Sequence, residues 1–95
     1  MAKEKLEEEG WLVTIVRGSS RFGESIDFFD RFDILAVAMK EPYIRFIQVK
    51  KNKRGAIPIP EERQRIADFK QYCPIGSVEI WVYKDRVKEP RIIIC

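Results

Sequence analysis

The sequence predicts an α+β domain in which helices pack on a mixed central sheet. Five short runs rich in β-branched and aromatic residues are separated by turns, which is typical of strands. A charged segment with good helix propensity precedes the first run, and a second, with apolar residues at helical spacing, lies between the third and fourth runs. The resulting order is αβββαβ with one extra terminal strand, and this mixed order indicates the α+β class. A chain of 95 residues that is 45% hydrophobic supports a single domain spanning 1–95.

Each element follows from local composition. The first helix is predicted over 2–9, because alanine, leucine and charged side chains there precede Gly10, a typical helix-ending residue. The second is predicted over 61–72, behind Pro60 and with acids in its first turn. A polar loop with several phenylalanines is predicted between the first two strands, over 19–31. The strands are predicted, in chain order, at 11–16, 32–39, 44–50, 78–84 and 91–94.

Composition excludes several kinds of chemistry. Histidine is absent, so Ser-His and Cys-His nucleophile pairs and histidine-ligated metals are ruled out. The two cysteines, Cys73 and Cys95, lack the spacing of a zinc site and are expected to be reduced thiols. No apolar run approaches the roughly 20 residues needed to cross a bilayer, so a soluble, cytoplasmic protein is expected. Any catalysis must therefore use carboxylates, lysines and hydroxyls.

Charge is distributed unevenly along the chain. Acids crowd "EKLEEE" near the start, whereas "VKKNKR" (49–54) contains no acid, and the net charge is +3. This asymmetry indicates a surface that faces a polyanion, although a solvated lysine-rich loop would give the same pattern.

The hairpin formed by the second and third strands brings polar residues together. If its turn is centred on Glu41 and Pro42, Asp33 lies directly opposite Lys50. Gln48 shares their face, because side chains on a strand alternate with a period of two. A shift of one residue in the register would move Asp33 to the other face.

Three such groups suit metal-assisted phosphodiester hydrolysis. Mg²⁺ takes oxygen ligands, including one or two carboxylates, and Asp33 is the candidate carboxylate. Gln48 offers a neutral amide oxygen, which is a weaker ligand. Lys50 is the candidate for orienting or deprotonating the attacking water and for stabilising charge in the transition state.

The segments "GWLVTIVRGSS", "FDILAVA" and "RFIQVKKNK", in this element order, resemble the PD-(D/E)xK nuclease superfamily. The resemblance is greatest to archaeal-type Holliday junction resolvases and their small phage and bacterial relatives. It implies a restriction-endonuclease-like fold, a Mg²⁺ (or Mn²⁺) cofactor, a DNA substrate and a homodimer. It assigns the strand aspartate to Asp33 and the acidic-x-Lys triplet to Gln48, Val49 and Lys50, with the Val49 carbonyl as a further metal ligand.

The sequence departs from the family pattern at two points. Position 48 is Gln where an acid is usual, and the first-helix glutamate of resolvases lies upstream of this chain. Its nearby substitutes are Glu4, Glu7 and Glu8. Asp27 and Asp30 are interpreted as loop caps, or as stand-in acids if the hairpin register is wrong.

Several further residues are expected to contact DNA phosphates. Such contacts position the nucleic acid without reading its sequence. From the basic segment and the loop after the first strand they are Lys51, Lys53, Arg54, Arg17, Ser19 and Arg21. Trp11 and Trp81 are predicted to lie in the core, whereas the phenylalanines of 22–32 are predicted to form a partner or dimer surface.

Three classes of function fit these observations. The first is a metal-dependent endonuclease acting on DNA, including branched DNA. The second is a protein of the same fold that binds nucleic acid with weak or no cleavage. The third is an interaction module that keeps only the fold.

Overall fold

The computed structural model describes residues 2–15, 28–29, 31–52 and 58–95. The elements within those ranges confirm the predicted order. They are α1 (Ala2–Glu8), β1 (Leu12–Ile15), β2 (Ile34–Val37), β3 (Ile44–Asn52), α2 (Pro60–Ala67), a 3₁₀ helix (Asp68–Gln71), β4 (Ser77–Lys84) and β5 (Arg91–Ile94). The five strands form one sheet in chain order, and only the β3–β4 pair is parallel. The sheet is therefore mixed, as predicted.

Helix α1 ends at a glycine, as the sequence predicts. Gly10 has a φ of +91°, in the left-handed region that glycine adopts without steric cost. The Gly10 amide donates to the Glu7 carbonyl, and the Trp11 amide donates to the Leu6 carbonyl. This pair of bonds is the Schellman arrangement, and Leu6 and Trp11 pack together in the core beneath it. The glycine thus directs the chain from α1 into β1.

The register of the β2–β3 hairpin differs from the prediction. Ile34 pairs with Ile47 and Val37 with Ile44, so the chain reverses one residue earlier than a turn centred on Glu41 and Pro42. The Tyr43 amide donates to the Lys40 carbonyl at 2.7 Å, which closes the turn over 40–43. The predicted alignment of Asp33 with Lys50 is therefore wrong by two residues. Because the strand period is two, this offset keeps Asp33 level with Gln48 and on the predicted face.

The two faces of the sheet carry separate cores. One lies under α1 and contains Trp11 and Trp81, which are 6% and 0% exposed, confirming their prediction as core residues. The other lies under α2 and the 3₁₀ helix and contains Phe32, Phe46 and Phe69. Residues of β3 alternate between the faces, with Ile47 toward α1 and Phe46 toward α2. The α2 face is therefore the face of Gln48 and Lys50.

The phenylalanines before β2 only partly form the predicted partner surface. Phe32 is fully buried and Phe28 packs against the same core, so the prediction is wrong for both. Phe29 is 58% exposed, and Phe22 lies outside the described residues. Phe28 and Phe32 form an isolated antiparallel bridge with each other. The backbone N–H and C=O of Phe32 are therefore bonded to Phe28 and not to a neighbouring strand, and β2 begins at Ile34.

Helix α2 begins at Pro60, whose fixed φ suits the first helical position. The predicted helix over 61–72 is two pieces, because the chain tightens to a 3₁₀ helix at Asp68. None of the helices in the described ranges is long and apolar enough to span a bilayer.

Candidate functional site

Asp33 is fixed to the backbone of β3 at two points. Its amide donates to the Ile47 carbonyl at 2.9 Å, and its carboxylate oxygen Oδ2 accepts from the Val49 amide at 2.7 Å. A charge-assisted bond of this length holds a carboxylate firmly. Asp33 thus lies at the bend that precedes β2. Its carboxylate contacts β3 at Val49, two residues beyond Ile47, where the pairing with β2 ends.

The Val49 carbonyl lies on the same side of β3 as the Asp33 carboxylate. In an extended strand the N–H and C=O of one residue point the same way, and the Val49 amide points to Asp33. The ladder between β2 and β3 ends at the Ile34–Ile47 pair, so Val49 lies past it. The role of the Val49 carbonyl as a metal ligand stays a prediction.

Gln48 has a buried oxygen with no hydrogen-bond partner. Its Oε1 and the Tyr83 hydroxyl, on the opposite face, are the two such side-chain atoms among the described residues. An unsatisfied buried acceptor costs about 1–3 kcal/mol, and a bound cation or water is the usual explanation. The role of Gln48 as a metal ligand stays a prediction, and its buried oxygen is an acceptor that such an ion or a water could use.

Lys50 reaches toward helix α2. Its ammonium nitrogen lies 2.7 Å from Oε1 of Glu62, in the first turn of that helix, and both side chains are about one-third exposed. Ion pairs at this exposure are worth about 0–1 kcal/mol and exchange readily for other partners. Glu62 therefore holds Lys50 at the end of β3 without burying its charge.

The arrangement fits a hard divalent cation in donor chemistry. Asp33, Gln48 and Val49 offer a carboxylate, an amide and a backbone oxygen, the donor types that Mg²⁺ and Mn²⁺ accept. Within the described ranges, however, no group of three or more Cys, Asp or Glu side chains is placed to hold a metal ion. The site would thus depend on neutral oxygens and water for most of its ligands.

The other predicted residues fall into three groups. Lys51 is exposed on β3, next to Lys50. Helix α1, with its glutamates, packs on the opposite face, so the structure does not bring Glu4, Glu7 or Glu8 to Gln48 and Lys50. The remaining predictions lie outside the described residues: Arg17, Ser19, Arg21, Asp27, Asp30, Lys53 and Arg54.

Sequence reasoning missed Glu62. The sequence does predict Glu62 in the first turn of α2. Acids are favoured at a helix N-terminus, however, so this preference alone explains a glutamate there and gives no sign of a role in the site. Glu62 meets Lys50 only because helix α2 packs, through Ile66, on this face of the sheet.

A second polar cluster, on the α1 face, was also missed. Glu79 is 1% exposed and accepts two bonds from the Arg45 guanidinium, at 2.6 and 2.7 Å. The Ser77 hydroxyl and the Trp81 indole N–H also donate to it. Burial alone raises the pKa of Glu79, but the bonds from Arg45, Ser77 and Trp81 outweigh it, so the pKa lies below its usual range.

The fold is similar to that of a known nuclease. The 1.6 Å structure of Archaeoglobus fulgidus Hjc, a Holliday junction resolvase from an archaeal hyperthermophile, matches with a TM-score of 0.65 and 18% sequence identity. The match covers 98% of this chain and 70% of that chain. No protein-family model and no curated protein matches the sequence. The comparison confirms the predicted fold class, an α+β nuclease-like fold with a five-stranded mixed sheet.

Proposed function

We propose that this protein is a metal-dependent endonuclease that hydrolyses phosphodiester bonds in DNA, with branched DNA such as a four-way junction as its first candidate substrate. One observation carries the proposal. The Asp33 carboxylate is anchored on the Val49 amide, and the preceding residue on β3, Gln48, has an unsatisfied oxygen and shares its face of the sheet with Lys50. The likeness in fold to a Holliday junction resolvase supports it.

In this proposal, Asp33, Gln48 and the Val49 carbonyl hold Mg²⁺ or Mn²⁺. When bound, the cation supplies Lewis-acid charge beside the scissile phosphate. Asp33 contributes the negative charge, and its bond to the Val49 amide fixes its direction before substrate arrives. The rigid strand β3 therefore sets the spacing between the metal-holding atoms and Lys50.

Lys50 acts on the reacting atoms. Its ammonium orients the attacking water and stabilises the negative charge that grows on the phosphoryl oxygens in the transition state. In the free protein that ammonium contacts Glu62, and the exposure of the pair leaves room for a phosphate to replace the carboxylate. Glu62 thus keeps Lys50 extended toward the site until substrate arrives.

Binding of DNA rests on the basic residues around the site. Lys51 is exposed beside Lys50, and the predicted contacts of Lys53, Arg54, Arg17, Ser19 and Arg21 would extend its charge along a phosphate backbone. A four-way junction has two-fold symmetry and is resolved by two cuts, so a homodimer with one site per subunit is the arrangement we propose.

A cleavage assay tests this function directly. Duplex, flap, single-stranded and four-way junction DNA are incubated with the protein in Mg²⁺, in Mn²⁺ or in EDTA. We expect metal-dependent nicking that Asp33→Asn abolishes, because this nearly isosteric change removes the carboxylate charge. Cleavage that persists in Asp33→Asn, or in EDTA, would contradict the proposed site.

A second candidate function is DNA binding without cleavage. Gln48 favours it, because an amide replaces the usual acid and leaves the described part of the site with few charged ligands. The same assay separates the two: salt-sensitive binding of DNA with no cleavage in either metal would assign this second function.

A further inference from the structure

An open aromatic groove lies on the α2 face. Its volume is about 610 Å³, and it is lined by Phe29, Arg31, Phe46, Phe69, Tyr72 and Cys73. Phe46 and Phe69 form a buried floor, with ring centroids 4.8 Å apart. Phe29 and Tyr72 form the walls and are 58% and 71% exposed. The groove thus has two exposed rings as walls above a floor of two buried rings.

Phe29, in the wall of the groove, has an unfavourable backbone conformation. Phe29 has a φ of +55°, in the left-handed region that bulky residues rarely adopt. Arg31 Nη1 donates to the Phe29 carbonyl at 3.0 Å, and Arg31 Nε donates to the Arg65 carbonyl at 3.2 Å. The same guanidinium lies 5.8 Å from the centroid of the Phe69 ring. Such strain persists where the surroundings enforce it and is common at ligand sites.

The aromatic groove is next to the candidate site. Phe46 lies two residues before Gln48 on β3 and faces the same side, which places the two about 7 Å apart along the strand. This step is of the order of one nucleotide of an extended strand. A nucleotide whose phosphate lay at Gln48 and Lys50 would therefore have a neighbour within reach of the groove.

We propose that the aromatic groove binds one unstacked nucleobase of the DNA substrate, adjoining the scissile phosphate. This inference rests on the proposed function and names its substrate class: DNA with unpaired or splayed bases near the cut. The lining residues that the structure describes favour a base over a peptide, because they combine four rings with a guanidinium and include no aliphatic side chain. Arg31, the one charged residue in the described part of the lining, is a cation and complements the backbone phosphate of the same nucleotide.

Binding measured in EDTA tests the groove without cleavage. The probes are a single-stranded oligodeoxynucleotide, a fully paired duplex, and that duplex with an unpaired loop. Removing a ring that stacks on a base typically lowers affinity about 5- to 150-fold. We expect Tyr72→Ala to lower affinity about tenfold for the single strand and the looped duplex, and to leave the paired duplex unchanged. Tyr72→Phe should keep wild-type affinity, because it keeps the ring.

Ile75→Ala is the matched control. Ile75 is 72% exposed, close to the 71% of Tyr72, and does not line the groove. Thermal unfolding is measured for each variant to check that it is folded. Equal losses for all three probes, equal losses in Ile75→Ala, or no loss in Tyr72→Ala would overturn the proposal. So would a Tyr72→Ala protein that loses self-association, measured by sedimentation, while its DNA affinity stays unchanged.

The outcomes also separate this inference from the nuclease function. Base-selective binding without cleavage in Mg²⁺ or Mn²⁺ would support the base-binding groove and contradict the proposed nuclease function. Metal-dependent cleavage with no effect of Tyr72→Ala on binding would support the nuclease function and contradict the base-binding groove.

Discussion

Among the described residues, β3 makes two ion pairs with its neighbours, and these pairs differ in burial. Arg45, on the α1 face, is paired with Glu79, and their side chains are 13% and 1% exposed. Lys50, five residues later on the α2 face, is paired with Glu62, and their side chains are 33% and 39% exposed. Both pairs join a cation of β3 to a glutamate of another element. Only their surroundings distinguish them.

Those surroundings indicate which pair is structural. Arg45 lies between the rings of Trp11 and Trp81, 5.1 and 5.4 Å from their centroids, while Glu79 accepts bonds from three side chains. A network satisfied in this way is rigid and closed to ligands. Within the described ranges the Lys50 pair has a single bond, and both of its side chains are partly exposed. A polar cluster that is incompletely satisfied and solvent-accessible is therefore the better candidate for chemistry.

The largest effect should come from breaking the buried pair. Arg45→Met leaves Glu79 buried without its counter-charge, which typically destabilises a protein by about 3–5 kcal/mol. The matched change Lys50→Met should lower the free energy of unfolding by less than about 1 kcal/mol, because its pair is exposed. Denaturant unfolding of both variants measures the difference. Equal losses would show that burial does not separate the two pairs.

DNA cleavage, unlike stability, should depend on Lys50 more than on Arg45. We expect Lys50→Met to lower kcat about 100-fold with little change in DNA affinity, because Lys50 acts mainly on the transition state. Lys51→Met should instead weaken DNA binding with a smaller effect on kcat. An active Lys50→Met enzyme would remove Lys50 from the site.

Acid should weaken the buried cluster selectively. The pKa of Glu79 lies below its usual 4.5, so its ionised form stabilises the fold above that pH. This contribution is lost as the pH falls through the lowered pKa of the folded state. The free energy of unfolding should therefore fall more steeply below pH 4.5 in the wild type than in Glu79→Gln. Parallel curves for the two proteins would contradict this assignment.

Salt dependence gives the smallest effect. Each phosphate contact should lower log K by about 0.9 per unit of log salt, so Lys51→Met should reduce the slope by about one contact. Fluorescence anisotropy between roughly 50 and 200 mM salt covers the informative range. A flat response in the wild type would favour the interaction module over both DNA-binding functions.

The sequence was sufficient for the element order and for the face of the site. Alternation along β3 placed Gln48 and Lys50 together whatever the register, and Gly10 marked the end of α1 correctly. The alignment of Asp33 was not predictable, because it depends on hydrogen bonds at Lys40 and Tyr43 that shift the turn by one residue. Glu62 and Glu79 were equally hidden, since each meets its partner only through long-range packing.

We propose that Asp33, Gln48 and Val49 hold a divalent cation on β3. Binding of Mn²⁺ in the absence of DNA, measured from the electron paramagnetic resonance signal of the free ion, tests this claim. Gln48→Glu adds a carboxylate at the unsatisfied oxygen, and Gln71→Glu adds the same charge at an exposed position on the 3₁₀ helix. We predict that Gln48→Glu binds Mn²⁺ about tenfold more tightly than the wild type and that Gln71→Glu does not. Unchanged or weaker binding in Gln48→Glu would contradict the claim.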